Sequence, residues 1–270
     1  MASFVTRARR RLARMIAPSA APTAAPAAGS AGETPDLRTE IVRRYLTGVG
    51  QTRMALAQRY IKGVGIEFGA LDFPTPVPPN VHVVDADFKP ANELKTLFMV
   101  DENVTSAKLM TDLESMDGIG DESQDFIIAN HVFEHVEDPL KALRSLSRVL
   151  RPDGVAFLAI PDKRSTFDKP RAVTNLDHLL RDHREGPDVS LAGHYQEWVH
   201  LVDGLSGEAY DSKVACMLEQ RSNIHFHCWD FAAMMELFTY VEREESFRLM
   251  VENATLNSIE VVWILRKRAA

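Results

Sequence analysis

Between residues 63 and 162 the chain repeats short apolar runs, most of them closing on an acid or a polar residue. "VGIEFGA", "VHVVDAD", "AKLMTDL", "DFIIANH" and "VAFLAIPD" have strand length and strand composition. Amphipathic segments alternate with them. "NELKTLF" reads as a helix after the second run, and "DPLKALRSLSRVLRPDG" as a helix closed by Pro152 and Gly154. Strands alternating with helices of this length fold into a parallel sheet covered on both faces. After Pro161 the strand signal stops until "SFRLMVENATLNSIEVVWILRKR", an apolar hairpin turning near Asn257 that follows the helix "DFAAMMELFTYV". The fold class is therefore α/β: a doubly wound, mostly parallel, seven-stranded sheet. A helical and loop insertion at 163–230 precedes the terminal antiparallel hairpin. Upstream, "DLRTEIVRRYLTGVGQTRMALAQRYIKG" has helical spacing, with Ile41, Tyr45, Leu46, Met54, Leu56 and Tyr60 as buried candidates.

Residues 1–36 are set apart from the fold by composition. The first 17, "MASFVTRARRRLARMIA", hold five arginines and no acid, and an Ala/Pro-rich linker follows. Phe4, Val5, Leu12, Met15 and Ile16 fall broadly on one side of a helix. A surface-lying amphipathic segment, a disordered basic tail and an organellar transit peptide all suit that pattern. No run approaches the ~20 apolar residues of a membrane span. A cytoplasmic location is expected, with a peripheral place at the inner membrane face as the reading the basic start adds. The net charge of −7 argues against nucleic acid as a general partner. Two cysteines, Cys216 and Cys228, are too few for a disulfide framework or a paired Cys zinc site.

The first strand-to-helix turn, "GVGIEFGALDFP", decides which cofactor classes fit. A dinucleotide fingerprint counted from Gly63 puts Phe68 where its third glycine belongs, and its glycines precede the apolar run rather than follow it. No Gly-Lys-Ser/Thr ending supplies a phosphate loop. What remains is Glu67 at the end of the first strand, Gly69 for close approach, and Asp85 and Asp112 ending the second and third strands. Carboxylates so placed suit a nucleoside without phosphates and with a cationic tail. One can accept from ribose hydroxyls, one from an adenine amino group, and one can pair with an ammonium.

These motifs, "GIEFGA", "VVDAD", "LMTDLESM", "DFIIANHVFEHVEDPLKALRSLSRVLRPDG" and "VAFLAIPD", resemble those of the class I S-adenosylmethionine-dependent methyltransferases. The likeness covers roughly residues 63–162, with the terminal hairpin matching the family's last two strands. The family's first motif is acid-x-Gly-x-Gly-x-Gly. Here only Glu67 and Gly69 match it, and Leu71 and Phe73 stand where glycines are usual. The resemblance implies a methyltransferase domain over 37–270, with S-adenosyl-L-methionine as cofactor and 163–230 as a substrate-binding cap. It implies that Glu67 and Gly69 line the methionine side, Asp85 holds the ribose, and Asp112 and Leu113 flank the adenine. Asn130 and His131 would then lie near the sulfonium. Glu134 and His135 would fall in the first turn of the next helix, as capping and packing residues or as part of the site.

Methyl transfer to an oxygen asks for in-line positioning and a base tuned near neutral pH. His131 and Asp162 leave the carboxyl ends of central strands and are the positional candidates. His194 is a candidate on chemistry alone, as is His227 for substrate binding. Six of the nine histidines lie in the insertion, yet no ligand spacing such as H-E-x-x-H appears, so no metal is expected. Lys163, Arg164, Lys169 and Arg171 form a basic cluster that suits an anionic acceptor or a solvated loop. "IPDKRSTFDKPRAVTNLDHLLRDH" is also similar to a bacterial methyltransferase group tied to surface-polysaccharide synthesis. The expected activity is O-methylation of a small molecule or glycan. A non-catalytic binding module with the same fold is the alternative.

Overall fold

The computed structural model describes residues 49–71, 73–98 and 107–269. Expectations about the basic N-terminus and about Ile41, Tyr45 and Leu46 lie outside the described residues. Strands β1 (Val64–Phe68), β2 (His82–Asp87), β3 (Leu109–Met110), β4 (Gln124–Asn130), β5 (Leu150–Pro161), β6 (Leu249–Asn257) and β7 (Glu260–Lys267) make one sheet. Its order is β3-β2-β1-β4-β5-β7-β6. β1 to β5 pair in parallel, and β7 runs antiparallel to both β5 and β6. This is the seven-stranded, doubly wound sheet that the alternating pattern predicts.

Both faces of the central strands are covered, which is why they read as continuous apolar runs. One face of β4 carries Phe126 and Ile128, packed with Phe157, Val262 and Ile264. Ala57 and Tyr60 of helix α1 (Gly50–Tyr60) and the adjoining Ile61 pack on them. Ile127 and Ala129 face the other way, into a core with Leu140, Leu143 and Leu146 of α3 (Pro139–Val149) and Leu237, Phe238 and Val241 of α7 (Phe231–Arg243). Helix α2 (Ala91–Phe98) joins β2 toward β3. Asp138 caps α3 by accepting from Lys141 N, and Pro139 occupies its first turn.

Two boundaries differ from the sequence reading. The helix before β5 ends at Val149, because Leu150 is already extended, and the chain enters β5 there. Pro152 and Gly154 lie within β5, not at a helix end. Asp153 has φ +66, and the β4–β5 register jumps from Gln124↔Leu150 to Phe126↔Val155, so the residues between bulge out. β3 is only two residues long. Asp112 lies beyond it in a turn, where its Oδ1 accepts from Glu114 N (2.9 Å) and Ser115 N (2.7 Å).

Residues 163–230 lie between β5 and α7 and contain α4 (Leu176–Glu185), α5 (Asp188–Leu201) and α6 (Gly207–Gln220). Leu191, Tyr195, Trp198, Val214, Met217, Ile224 and Phe226 give this insertion its own apolar core. No helix among the described residues is long and apolar enough to cross a membrane.

Candidate active site

The strand order reverses between β1 and β4, and folds of this type bind ligands in the crevice at the carboxyl ends there. Gly69 closes β1 at φ +65, and a Cβ on it would lie 2.7 Å from Val132 Cγ2. Leu71 follows at φ +49. The residue that stands where the family has glycine thus adopts the left-handed conformation that favours glycine.

Glu67 sits side by side with Asp85 across the β1–β2 register. It is buried, and its carboxylate accepts from Thr75 N (3.0 and 3.1 Å) and Thr75 Oγ1 (2.6 Å). Burial raises its pKa to about 7, against the lowering effect of the Thr75 hydrogen bonds. Expected to meet a ligand ammonium, Glu67 instead ties down the loop after β1. Asn130 Nδ2 continues the chain by donating to Thr75 Oγ1 at 2.8 Å.

Two acceptors at the same strand ends are left open. Asp85 is half-buried, which raises its pKa, and its side chain has no hydrogen-bond partner in the structure. Asn130 Oδ1 is buried and also unpartnered. With the bare approach at Gly69, these groups fit S-adenosylmethionine: a carboxylate for ribose hydroxyls, an amide oxygen for an ammonium, and room for backbone contact. Leu113 is buried in the sheet core and offers at most a wall. Asp112 is exposed with one oxygen held by its own turn.

His131 follows β4 at φ +55 and donates from Nε2 to Glu260 Oε2, 2.7 Å away. Glu260 is fully buried and also receives a bidentate pair from Arg53 and a hydrogen bond from Asn257 Nδ2 (2.8 Å). Burial would raise the Glu260 pKa, but the Arg53 charge and hydrogen bonds hold it down to about 2. For His131 burial acts to lower the pKa, and the Glu134 and Glu260 carboxylates raise it above the ordinary value. A carboxylate thus orients this imidazole as it does in other acid–base pairs. Arg53 and Glu260 escaped the sequence reading. The available signals were a lone acid leading the apolar run "VVWIL" and an arginine on the apolar side of α1.

Asp162 does not offer the base expected of it. Its two oxygens accept from Arg164 N, Nε and Nη2, and it caps a short turn. The basic cluster dissolves for the same reason. Arg164 is engaged by Asp162, and the buried Lys163 donates to the Lys169 carbonyl at 3.1 Å. Arg171 is buried against Asp168 (2.9 Å), Glu197 (2.9 Å) and the carbonyls of His225 and Phe226. Lys169 alone of the four is exposed with no ion-pair partner among the described residues.

His194 and His227 are brought together within the insertion, with His178 as a third member. His178 Nε2 and His194 Nε2 are 3.3 Å apart, and Asp182 Oδ2 lies 3.1 Å from the former. Burial lowers the pKa of all three, which favours their neutral forms. Glu134 and His135 lie in a separate short turn, Phe133–His135, not in α3, and face His225. A shallow hollow of about 420 Å³ lies elsewhere, lined by Glu197, His200, Leu205 and Tyr210, and none of the strand-end residues borders it.

A family model described as a methyltransferase domain matches residues 62–260. No curated protein matches the chain in sequence. Among solved structures, the chain is 14% identical to the CurJ carbon methyltransferase, covering 87% of this chain and 59% of that one with a TM-score of 0.45. It is 14% identical to a SAM-dependent methyltransferase of Thermotoga maritima, a possible histamine N-methyltransferase, covering 86% and 97% with a TM-score of 0.42. It is 12% identical to a SAM-dependent methyltransferase of Methanosarcina mazei, covering 78% and 96% with a TM-score of 0.43. Identities and scores this low carry nothing about substrate.

Proposed function

The chain belongs to the methyltransferase-domain family, and on that premise we propose that it transfers a methyl group to an oxygen of a small molecule or glycan. It is an enzyme of that family, and its cofactor is S-adenosylmethionine. The observation that carries the oxygen reading is the His131–Glu260 pair at the end of β4.

The bound cofactor supplies an electrophilic methyl group on a sulfonium, so the protein's part is to place the acceptor in line and take its proton. Asp85 accepts from the ribose, Asn130 Oδ1 from the ammonium, and Gly69 lets the backbone approach. Glu67, through Thr75, holds the loop that covers this end. His131, oriented by Glu260 and made more basic by that carboxylate, is suited to accept the hydroxyl proton. The likeness of residues 160–183 to polysaccharide-associated methyltransferases supports a sugar-containing acceptor, and the exposed Lys169 is what remains to support an anionic one. The basic residues of 1–17 support a cytoplasmic enzyme in peripheral contact with a membrane.

The test is methylation of neutral, acidic, phosphorylated and nucleotide-linked sugars with isotope-labelled cofactor, the product atom being read by NMR. An O-methyl product is expected, with His131→Gln lowering turnover by about a hundredfold or more, the general-base contribution, and leaving cofactor affinity unchanged. Methylation at nitrogen or carbon, or full turnover in His131→Gln, would refute the reading.

A further inference from the structure

Glu134 is 1% exposed, and neither of its carboxylate oxygens has a hydrogen-bond partner. A buried carboxylate left this way is strongly disfavoured unless a proton or a cation compensates it. Three imidazole nitrogens surround Glu134 Oε1 without bonding it: His131 Nδ1 at 3.6 Å, His225 Nε2 at 3.7 Å and His135 Nε2 at 3.9 Å. Where histidine meets carboxylate directly among the described residues, the contact closes to 2.7 Å (His131–Glu260, His225–Asp168), 2.8 Å (His183–Asp138) or 3.1 Å (His178–Asp182). The wider ring around Glu134 is a different kind of contact.

The far nitrogens explain which way the lone pairs point. His225 Nδ1 donates to Asp168 Oδ2 at 2.7 Å, and Arg171 in turn holds Asp168. His135 Nδ1 donates to the Ile224 carbonyl at 2.7 Å. In the neutral form each ring therefore aims an unprotonated Nε2 at Glu134, and His225 Nε2 is buried without a partner. Imidazoles fixed at one nitrogen by a carboxylate or carbonyl, with the other aimed at a shared point, are the arrangement of metal ligands. The ligand atoms of Glu134, His135 and His225 all lie within 4.8 Å of one another. Two ligands on one tetrahedral zinc, at about 2.0–2.1 Å each, stand roughly 3.3–3.4 Å apart. The two gaps to Glu134 Oε1 exceed that by a few tenths of an ångström, and the His135–His225 separation lies within 4.8 Å. The backbone is already in place, since Phe226 N donates to the Glu134 carbonyl at 2.9 Å.

We propose that Glu134, His135 and His225 bind one divalent transition-metal ion, joining the end of β4 to the insertion. Two imidazoles and a carboxylate suit zinc, and three protein ligands leave a position open beside His131. The inference concerns ion binding and does not depend on which acceptor is methylated.

In the other histidine cluster the Nε2 atoms of His178 and His194 meet each other, Ser190 Oγ bridges Asp182 and His194 (3.1 Å to His194 Nε2), and His227 Nε2 faces the Glu137 carbonyl at 3.2 Å, which leaves His227 Nδ1 as its buried unpartnered nitrogen.

The experiment is metal content by mass spectrometry after metal-free purification, addition of zinc and desalting of the full chain. Wild type and His194→Gln should each keep about one zinc per chain, and Glu134→Gln and His225→Gln less than about a tenth of that. Cobalt added to the wild type should give the visible absorption of a low-coordinate site, displaced by zinc, which tests the site without a variant that could misfold. Wild type that holds neither ion, Glu134→Gln that keeps zinc at the wild-type level, or loss of zinc in His194→Gln would overturn the proposal.

Discussion

The two ends of the crevice treat polar groups in opposite ways. At the ends of β1, β2 and β4, Asp85 and Asn130 Oδ1 have no hydrogen-bond partner among the described residues, beside the short relay Glu67–Thr75–Asn130. At the insertion end, Asp168, Arg171, Glu197 and His225 are bonded to one another in the interior. The half-buried Asp85 can stay hydrated when empty, whereas the buried Asn130 Oδ1 carries a desolvation cost that a donor would relieve. Closed ion pairs in the interior hold one packing arrangement, and removing one partner strands the other. The difference separates a surface shaped for binding from one shaped for rigidity.

The largest expected effect breaks the closed end. Arg171→Met leaves Asp168 and Glu197 facing an apolar side chain and should cost about 3–5 kcal/mol in denaturant unfolding. A loss under 1 kcal/mol would mean that the insertion is held by its apolar core alone.

Next comes the titration of Glu67 at the open end. The folded-state pKa of Glu67, about 7, lies above its ordinary 4.5. Between those values the folded protein holds a proton that the unfolded chain has released, so stability falls as pH rises from about 4.5 to about 7 and is level above. The fall amounts to about 3 kcal/mol from this group. Ligand-free Glu67→Gln should lack it, which unfolding at pH 5 and pH 8 compares directly; an equal fall in the variant would assign the slope to other groups.

Asp85→Ala should weaken S-adenosylmethionine binding by about 1–3 kcal/mol in calorimetry through lost ribose hydrogen bonds. Because the Asp85 side chain makes no hydrogen bond among the described residues, the variant's thermal midpoint should shift little. A variant that binds as tightly as wild type would displace the ribose from this strand end. The smallest effect is at Leu71, whose φ of +49 carries left-handed strain. Leu71→Gly should gain up to about 1 kcal/mol in stability, and a net loss would show that the leucine side chain packs well enough to outweigh that strain.

Much of the open end could be read directly from the chain. Glu67, Gly69, Asp85 and Asn130 are the residues that end strands, and strand ends follow from local apolar runs. Their side-chain roles were less legible. Thr75, which claims Glu67, is a lone threonine among prolines with nothing in its spacing to mark it. Asp162 seemed as well placed as His131 until Arg164, two residues on, proved to hold both its oxygens. The closed end was hardly legible: Arg53 and Glu260 are 207 residues apart, and Asp168 and His225 are 57 apart.

By itself the sequence determined the doubly wound sheet, its terminal hairpin and the insertion after β5, because strand and helix periods are set by neighbours a few residues away, and its motifs carry the resemblance to the methyltransferases. Only the tertiary structure decided which acids are open and which are paired, and that six histidines of three separate segments form two clusters. Those outcomes depend on burial and on contacts between distant parts of the chain, and no local period encodes either.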